Sequence, residues 1–425
     1  MVAAGAGGPP GGAARGGPGT RGGPGVCQDG RVARFQPFRA LRYDLDRVDL
    51  ARVIAPPYDV IDDRLRAELA ARDPHNAVRV DLPVPDGARD RYEVASCLLR
   101  DWRREGVLVT DERPTFTVHR MAYVDDAGVA RHTTGVLGAL ELTPPGTDIL
   151  PHEHTTPKAR SDRLDMLRSC KANTSAIWGL SLAKGLTALL PDGPPYAQVV
   201  DSDGVEHTLW VVDDPEACAA IAEAVAAHPV VIADGHHRYE TSLAYRRERE
   251  AAGDPGAAAA TLAYVVELVE DELTVRAIHR LVDGLPTDRD PVALLEPWFE
   301  PLGPPPAGVP VTTAMQEAGA LCAVTPAGEV LLRPRSDALA DTRDLDSARL
   351  DVALAALGGP EVRYQHGVDN VRAAVAEGRA QLGVLLRPAT IAQIEATAHG
   401  GERMPPKTTF FHPKPPTGLV FRDLA

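Results

Sequence analysis

From Val230 to Ala233 the chain runs through four apolar residues without a break, then turns at Asp234-Gly235, and Tyr239 and Leu243 follow at the i, i+4 spacing of a helix. This pattern predicts a short buried strand that enters a helix through a glycine turn. Asp234, His236, His237 and Arg238 then crowd the first helical turn, where unpaired N–H groups and the positive end of the helix dipole attract anions. Arg238 adds a planar donor fork suited to phosphate oxygens. A capping aspartate with a solvated basic turn would account for Asp-Gly alone. An acid, two histidines and an arginine in five consecutive positions favour a phosphate site.

Elsewhere the pattern predicts helices over Arg64–Arg72 and Tyr92–Glu105, and strands over Thr115–Tyr123 and Thr134–Leu142 joined through the turn Asp125-Asp126-Ala127-Gly128. Pro215–Ala227 reads as a helix with proline in its first turn and Asp214 as its cap. Leu262–Glu267 and Leu273–Ile278 read as a second hairpin. Pro286–Pro306 is proline-rich and reads as a join to a C-terminal α/β part that contains Pro291–Trp298, Ala348–Leu357 and Val371–Glu377. The expected fold class is α/β of the mixed α+β kind. Three regions are expected: a disordered Gly/Pro/Ala tail over 1–26, an α/β core over 27–285 with the Asp-Gly-His-His-Arg turn, and a C-terminal α/β part over 286–425 that returns to the core.

Composition narrows the function classes. The tail offers little apolar surface to offset chain entropy and has no apolar signal-peptide core, so it reads as a product of an upstream start codon or as a flexible arm. The formal net charge is −14, from 45 Lys+Arg against 59 Asp+Glu, and no long basic run appears. No nucleic-acid partner is therefore expected. No apolar stretch reaches membrane-spanning length, so no membrane partner is expected and a soluble cytoplasmic protein is. The five cysteines are scattered, never spaced as Cys-x-x-Cys, and read as reduced thiols.

Several other segments carry candidate chemistry. His152-Glu153-His154 lies on an extended stretch, where both imidazoles face one side and Glu153 the other. The pair resembles half a metal site, but the His-Glu-x-x-His spacing and an identifiable third ligand are missing. Glu153 reads as a general base or magnesium ligand, and His152 and His154 as phosphate donors or acid–base groups; backbone-bonded loop histidines are the alternative. Lys158, Arg160, Asp162 and Arg163 fit a phosphate grip or a solvated helix start. Pro56-Pro57 is rigid and can aim Tyr58 and Asp59 into a cleft, or set Asp59 or Asp62 as a helix cap. Near the C-terminus, Lys407, Thr408, Thr409, His412 and Lys414 are donors among prolines on an extended segment, perceived as an edge strand across the core. Lys407 can meet a phosphate as a point charge, whereas Phe410-Phe411 read as packing.

Asp234-Gly-His-His-Arg resembles the strand-turn-helix motif of the sulfiredoxin/ParB superfamily, and is closely similar to the motif of its free-serine kinases. With Val53-Ile-Ala-Pro-Pro-Tyr-Asp-Val60, Leu150-Pro-His-Glu-His-Thr-Thr-Pro-Lys158 followed by Asp162-Arg163-Leu164, and Met404–Val420, the chain resembles the serine-kinase-like domain of unknown function family ten-fifteen over about Phe35 to Phe421. The resemblance implies a sulfiredoxin/ParB-like core with additional α/β subdomains. It also implies a phosphotransferase that moves a phosphoryl group from a nucleotide or pyrophosphate to a small hydroxyl substrate such as free serine. Gly235, His236, His237, Arg238, Lys158, Arg163 and Lys407 would hold phosphates, Asp59 or Glu153 would act as base, and Asp234 and Glu153 would hold Mg2+ or Mn2+. A nucleotide-binding switch with slow hydrolysis and a His-dependent metallohydrolase are the alternatives. Walker and protein-kinase signatures are absent from the sequence.

Overall fold

The computed structural model describes residues 33–125, 128–146, 148–151, 160–400 and 404–425, which belong to one compact unit, Val32–Ala425. His152, Glu153, His154 and Lys158 lie outside the described residues, as does the tail. The architecture is mixed α+β, built on a nine-stranded sheet and a six-stranded sheet.

The larger sheet contains β1 (Phe35–Gln36), β2 (Phe116–Val124), β3 (Ala130–Glu141), β4 (Ile149–Pro151), β5 (Ile177–Ser181), β6 (Ala197–Val200), β7 (Glu206–Val212), β8 (Val230–Asp234) and β9 (Ala260–Glu267). Its order is β4-β8-β5-β9-β3-β2-β7-β6, with β1 also on β3. Pairs β8/β4 and β9/β5 are parallel and the others antiparallel. Strands β8 and β9 read as apolar runs because both faces of the sheet are covered. Val231, Ala233, Leu262, Tyr264 and Val266 enter one core with Trp178, Phe411 and Phe421. Val230, Ile232, Ala263 and Val265 enter the other.

The helices follow the sequence pattern closely where caps are strong. Helix α1 (Asp63–Arg72) is capped by Asp62, whose carboxylate accepts from the Leu65 N–H at 2.7 Å. Helix α2 (Arg91–Arg104) begins with a full Asp90/Glu93 capping box. Helix α3 spans Arg160–Cys170, and α4 (Pro215–Ala226) is capped by Asp214. Helix α5 (His236–Ala251) and α4 bury Tyr239, Leu243, Ile221 and Val225 in the second core.

The smaller sheet runs Phe299–Gly303, Gly328–Pro334, Leu321–Thr325, Leu382–Leu385, His279–Asp283, Glu361–Gln365. The expected hairpin between Leu262–Glu267 and Leu273–Ile278 does not form. Both edges of β9 are taken by β3 and β5, and Thr274–Arg276 pairs instead with Phe410–His412. That pairing carries the C-terminal segment across the core, where Phe411 packs on Trp178 with ring centroids 5.5 Å apart. Among the described residues no helix is long and apolar enough to cross a membrane, and Cys97, Cys170, Cys218 and Cys322 are free thiols.

Gly138, in the middle of β3, shows how tightly the larger sheet is packed. A Cβ there would lie 2.6 Å from Phe116 Cε1 and would collide with the ring of Phe35, which stacks on Phe116. Gly138→Ala is expected to lower unfolding free energy by about 1–3 kcal/mol through overpacking. Urea denaturation of the two proteins checks this; equal midpoints would contradict it.

Candidate functional site

Strand β8 ends at Asp234, and Gly235 turns the chain with φ of +87° before α5 begins. Glycine is required there twice over. The left-handed backbone disfavours a side chain, and a Cβ would lie 2.9 Å from Arg238 Nε. A register shift between Ile232 and Asp234 opposite β5 re-aims the strand end, as bulges beside functional sites do. The helix is fixed farther along by Tyr239, whose hydroxyl donates to the Thr143 carbonyl at 2.6 Å.

The α5 N-terminus opens on a cleft of about 470 Å³. Asp59, Asp234, Gly235, His236, His237, Arg238 and Lys407 all line it, so seven of the residues expected from sequence converge in one place. Tyr58, Tyr364, His366, Thr409, Phe410 and Lys414 complete the walls. The Nδ1 atom of His237 is buried with no hydrogen-bond partner among the described residues.

Lys414 organises the carboxylates. Its Nζ donates to Asp59 Oδ2 at 2.6 Å and to Asp234 Oδ1 at 2.8 Å, and its side chain is 10% exposed. Burial opposes the charge of Lys414, but the two carboxylates more than reverse this and raise its pKa. Burial likewise pushes the Asp234 carboxyl up; Lys414 and Arg238 overcome this and hold it at about 2.

Arg238, the expected phosphate fork, is engaged within the chain. Its guanidinium turns back to Asp234 Oδ2 and to the Ala176 carbonyl, with the Tyr58 ring 6.0 Å away. Lys414 thus takes one oxygen of Asp234 and Arg238 the other, and Glu153, the other expected metal ligand, lies outside the described residues. Among the described residues no group of three or more His, Cys, Asp or Glu side chains is placed to hold a metal ion.

Arg163 does not line the cleft. It is buried, donates to the Asp81 carbonyl at 2.9 Å, pairs with Asp81 and Asp162, and lies 4.2 Å from the Tyr58 ring centroid. Asp81 also accepts from Thr174 and Thr417. This network positions Tyr58 and the 3-10 turn Tyr58–Val60, and with it Asp59. Asp62, rather than Asp59, caps the following helix.

Lys407 projects from a backbone with φ of +58°, unusual for a residue with a side chain. Buried Arg280 fixes this segment by donating to the Lys407 carbonyl at 3.1 Å and the Pro406 carbonyl at 3.4 Å, with its guanidinium 4.6 Å from the Tyr364 ring centroid. The smaller sheet thus supplies the support for Lys407 and also Tyr364 and His366. Burial, helped by Lys414 and Lys407, lowers the His366 pKa. Nothing local in the sequence marks Tyr364, His366 or Arg280, because they reach the cleft only through the smaller sheet. Lys414 was visible as a donor, but not its two partners.

With this geometry in place, the chain can be set beside known proteins. It belongs to the family described as "Protein of unknown function (DUF1015)", whose model matches residues 35–353 and so ends before the Met404–Val420 segment. No curated protein matches the chain. Solved structures similar to it include a mutant free serine kinase in complex with ADP, at 13% identity and TM-score 0.35, covering 62% of this chain and 84% of that one. SbnI with a C-terminal truncation from Staphylococcus aureus matches at 13% identity and TM-score 0.38, covering 68% and 87%. A conserved hypothetical protein from Pyrococcus furiosus matches at 12% identity and TM-score 0.35, covering 65% and 92%.

Two outcomes follow from the ion cluster. Since the Asp234 pKa is depressed from 3.8 to about 2 in the fold, its contribution is fully present above the unfolded value and is lost as pH falls through the folded one. Acid titration of stability should show a loss on the order of 2 kcal/mol between about pH 4 and 2 that Asp234→Asn lacks. An equal acid slope in both proteins would refute the assignment. Arg238→Ala, which leaves Asp234 with Lys414 alone, is expected to cost about 3 kcal/mol of stability, measured by denaturant unfolding; a surface role would leave stability within about 0.5 kcal/mol.

Proposed function

We propose that this chain is a phosphotransferase of serine-kinase type, moving a phosphoryl group from a nucleotide or pyrophosphate to a small hydroxyl substrate such as free serine. The observation that carries this reading is the convergence of the α5 N-terminus, His237, Lys407 and Lys414 on one cleft beside the carboxylate of Asp59. Phosphoryl transfer asks mainly for positioning and for cationic stabilisation of the equatorial oxygens. The first N–H groups of α5 have no carbonyl four residues earlier within the helix, so they suit donor phosphates. His236, His237 and Lys407 add donors around them. Arg238 acts through Asp234 and Tyr58 as a positioning residue.

Asp59 is the candidate base. Its side chain is 38% exposed at the cleft, and Lys414 fixes it through Oδ2. The acceptor hydroxyl oxygen bonds to phosphorus as the bridging P–O bond of the donor breaks. The electron pair of that bond leaves with the departing phosphate, and the hydroxyl proton passes to Asp59. Beside the cleft, across Val60, Phe410 and Lys414, lies a second cavity of about 430 Å³ whose walls combine Pro56, Pro57 and Tyr123 with Asp201 and Asp203. It suits the part of a substrate that carries no phosphate.

The test is a phosphorus NMR screen of nucleotides and pyrophosphate against serine and other small hydroxyl compounds. A new phosphomonoester resonance is expected with one donor. Lys407→Ala should weaken donor binding about ten- to a hundredfold, as loss of one charge-assisted contact does. Asp59→Asn should abolish product formation and leave donor affinity within about threefold, well under 1 kcal/mol. Nucleotide hydrolysis at equal rates with and without every acceptor would favour the switch reading instead.

A further inference from the structure

We infer that Lys414 occupies the position a divalent cation would take between Asp59 and Asp234, so that these two carboxylates are neutralised by the chain itself. The inference goes beyond the phosphotransferase reading and depends on it only for its consequence for phosphate binding. Three observations carry it. One nitrogen lies within hydrogen-bond distance of an oxygen from each carboxylate, at 2.6 Å and 2.8 Å. The remaining Asp234 oxygen is taken by Arg238. The lysine side chain is 10% exposed, so its ammonium is largely withdrawn from solvent between the two carboxylates.

Charge balance makes the same point. Asp59 and Asp234 supply two negative charges, and Lys414 and Arg238 supply two positive ones. A divalent ion added to this cluster would meet a compensated site and an ammonium at close range. Magnesium also demands near-octahedral oxygen coordination at about 2.0–2.1 Å, whereas each oxygen that faces Lys414 already accepts a hydrogen bond from it. Without the ammonium the balance reverses: two carboxylates would share one guanidinium, and a divalent cation would restore neutrality. A Lys in this position is a fixed substitute for the metal. It holds the two aspartates together as a metal would, but with a single charge and three donors.

The experiment uses the full chain and its Lys414→Met variant in phosphate-free buffer, with Mn2+ as the probe. The variant should melt below the wild type, and millimolar Mn2+ should raise its melting temperature, since a ligand that binds only the folded state stabilises it. Adding Asp59→Asn to the variant should remove that rise. The wild type should bind no Mn2+ at this site by electron paramagnetic resonance, a measurement that holds even if the variant fails to fold. Saturable Mn2+ binding by the wild type that Asp59→Asn abolishes would overturn the inference. So would a folded Lys414→Met protein that gains nothing from the cation, which is what loss of packing alone predicts. Calorimetry with pyrophosphate adds a separate arm. Wild-type affinity should stay within about threefold with chelator in place of Mn2+, and binding that appears only with Mn2+ would overturn the inference. Absence of binding in both conditions would sink the phosphate reading of the cleft, while the cation rescue of Lys414→Met would still decide the role of the lysine.

Discussion

A single ammonium ties three distant parts of this chain together. Lys414 reaches Asp59 across 355 positions of sequence and Asp234 across 180, and it is held where the C-terminal strand crosses the core. Taking these charges out of water is costly, so the cluster is worth keeping only if its geometry is good and its lone pairs are satisfied. Both conditions are met at Asp234, whose two oxygens face two cations. The cluster is better understood as a device for fixing the positions of β8, the Tyr58–Val60 turn and the C-terminal segment than as a large source of stability.

Around it, arginines hold the cleft in shape. Arg163 and Arg238 bracket the Tyr58 ring and serve carboxylates and backbone carbonyls, Arg238 from the cleft wall. Lys407 and His237 line the same cleft. The arginine that reads as a phosphate fork in sequence also acts as a strut in the fold, paired with Asp234 four residues before it. A second arginine, Arg280, plays the corresponding part for Lys407 by binding the carbonyls beneath it.

The strand-turn-helix segment was legible because its signals are local. An apolar run buried on both faces, a glycine at positive φ and a helical i, i+4 pair need no distant partner to be read. Helices α1, α2 and α4 were legible from local patterns as well; Asp214 reads as the cap of α4 and Asp62 as one of two candidate caps of α1, whereas the Asp90 capping box of α2 emerges from the structure. The failed hairpin at Leu273–Ile278 shows the limit. Alternation says that a segment will pair, not with which edge, and Phe410–His412 won that edge from over a hundred residues away. Tyr364, His366 and the role of Lys414 belong to the same class, since each depends on a tertiary contact that leaves no local trace. The family match covers residues 35–353 and so stops short of Lys407 and Lys414.

The central claim is that a phosphate-bearing ligand sits at the N-terminus of α5 against His237. Its most direct test is the nitrogen spectrum of protein carrying 15N-labelled histidine, titrated with pyrophosphate and with nucleotide. The account predicts that the ring nitrogens of His236 and His237, assigned by single substitution, shift and saturate together, while those of the buried pair His119 and His207 stay in place. Unchanged His237 resonances at saturating concentrations of every phosphate ligand would contradict it.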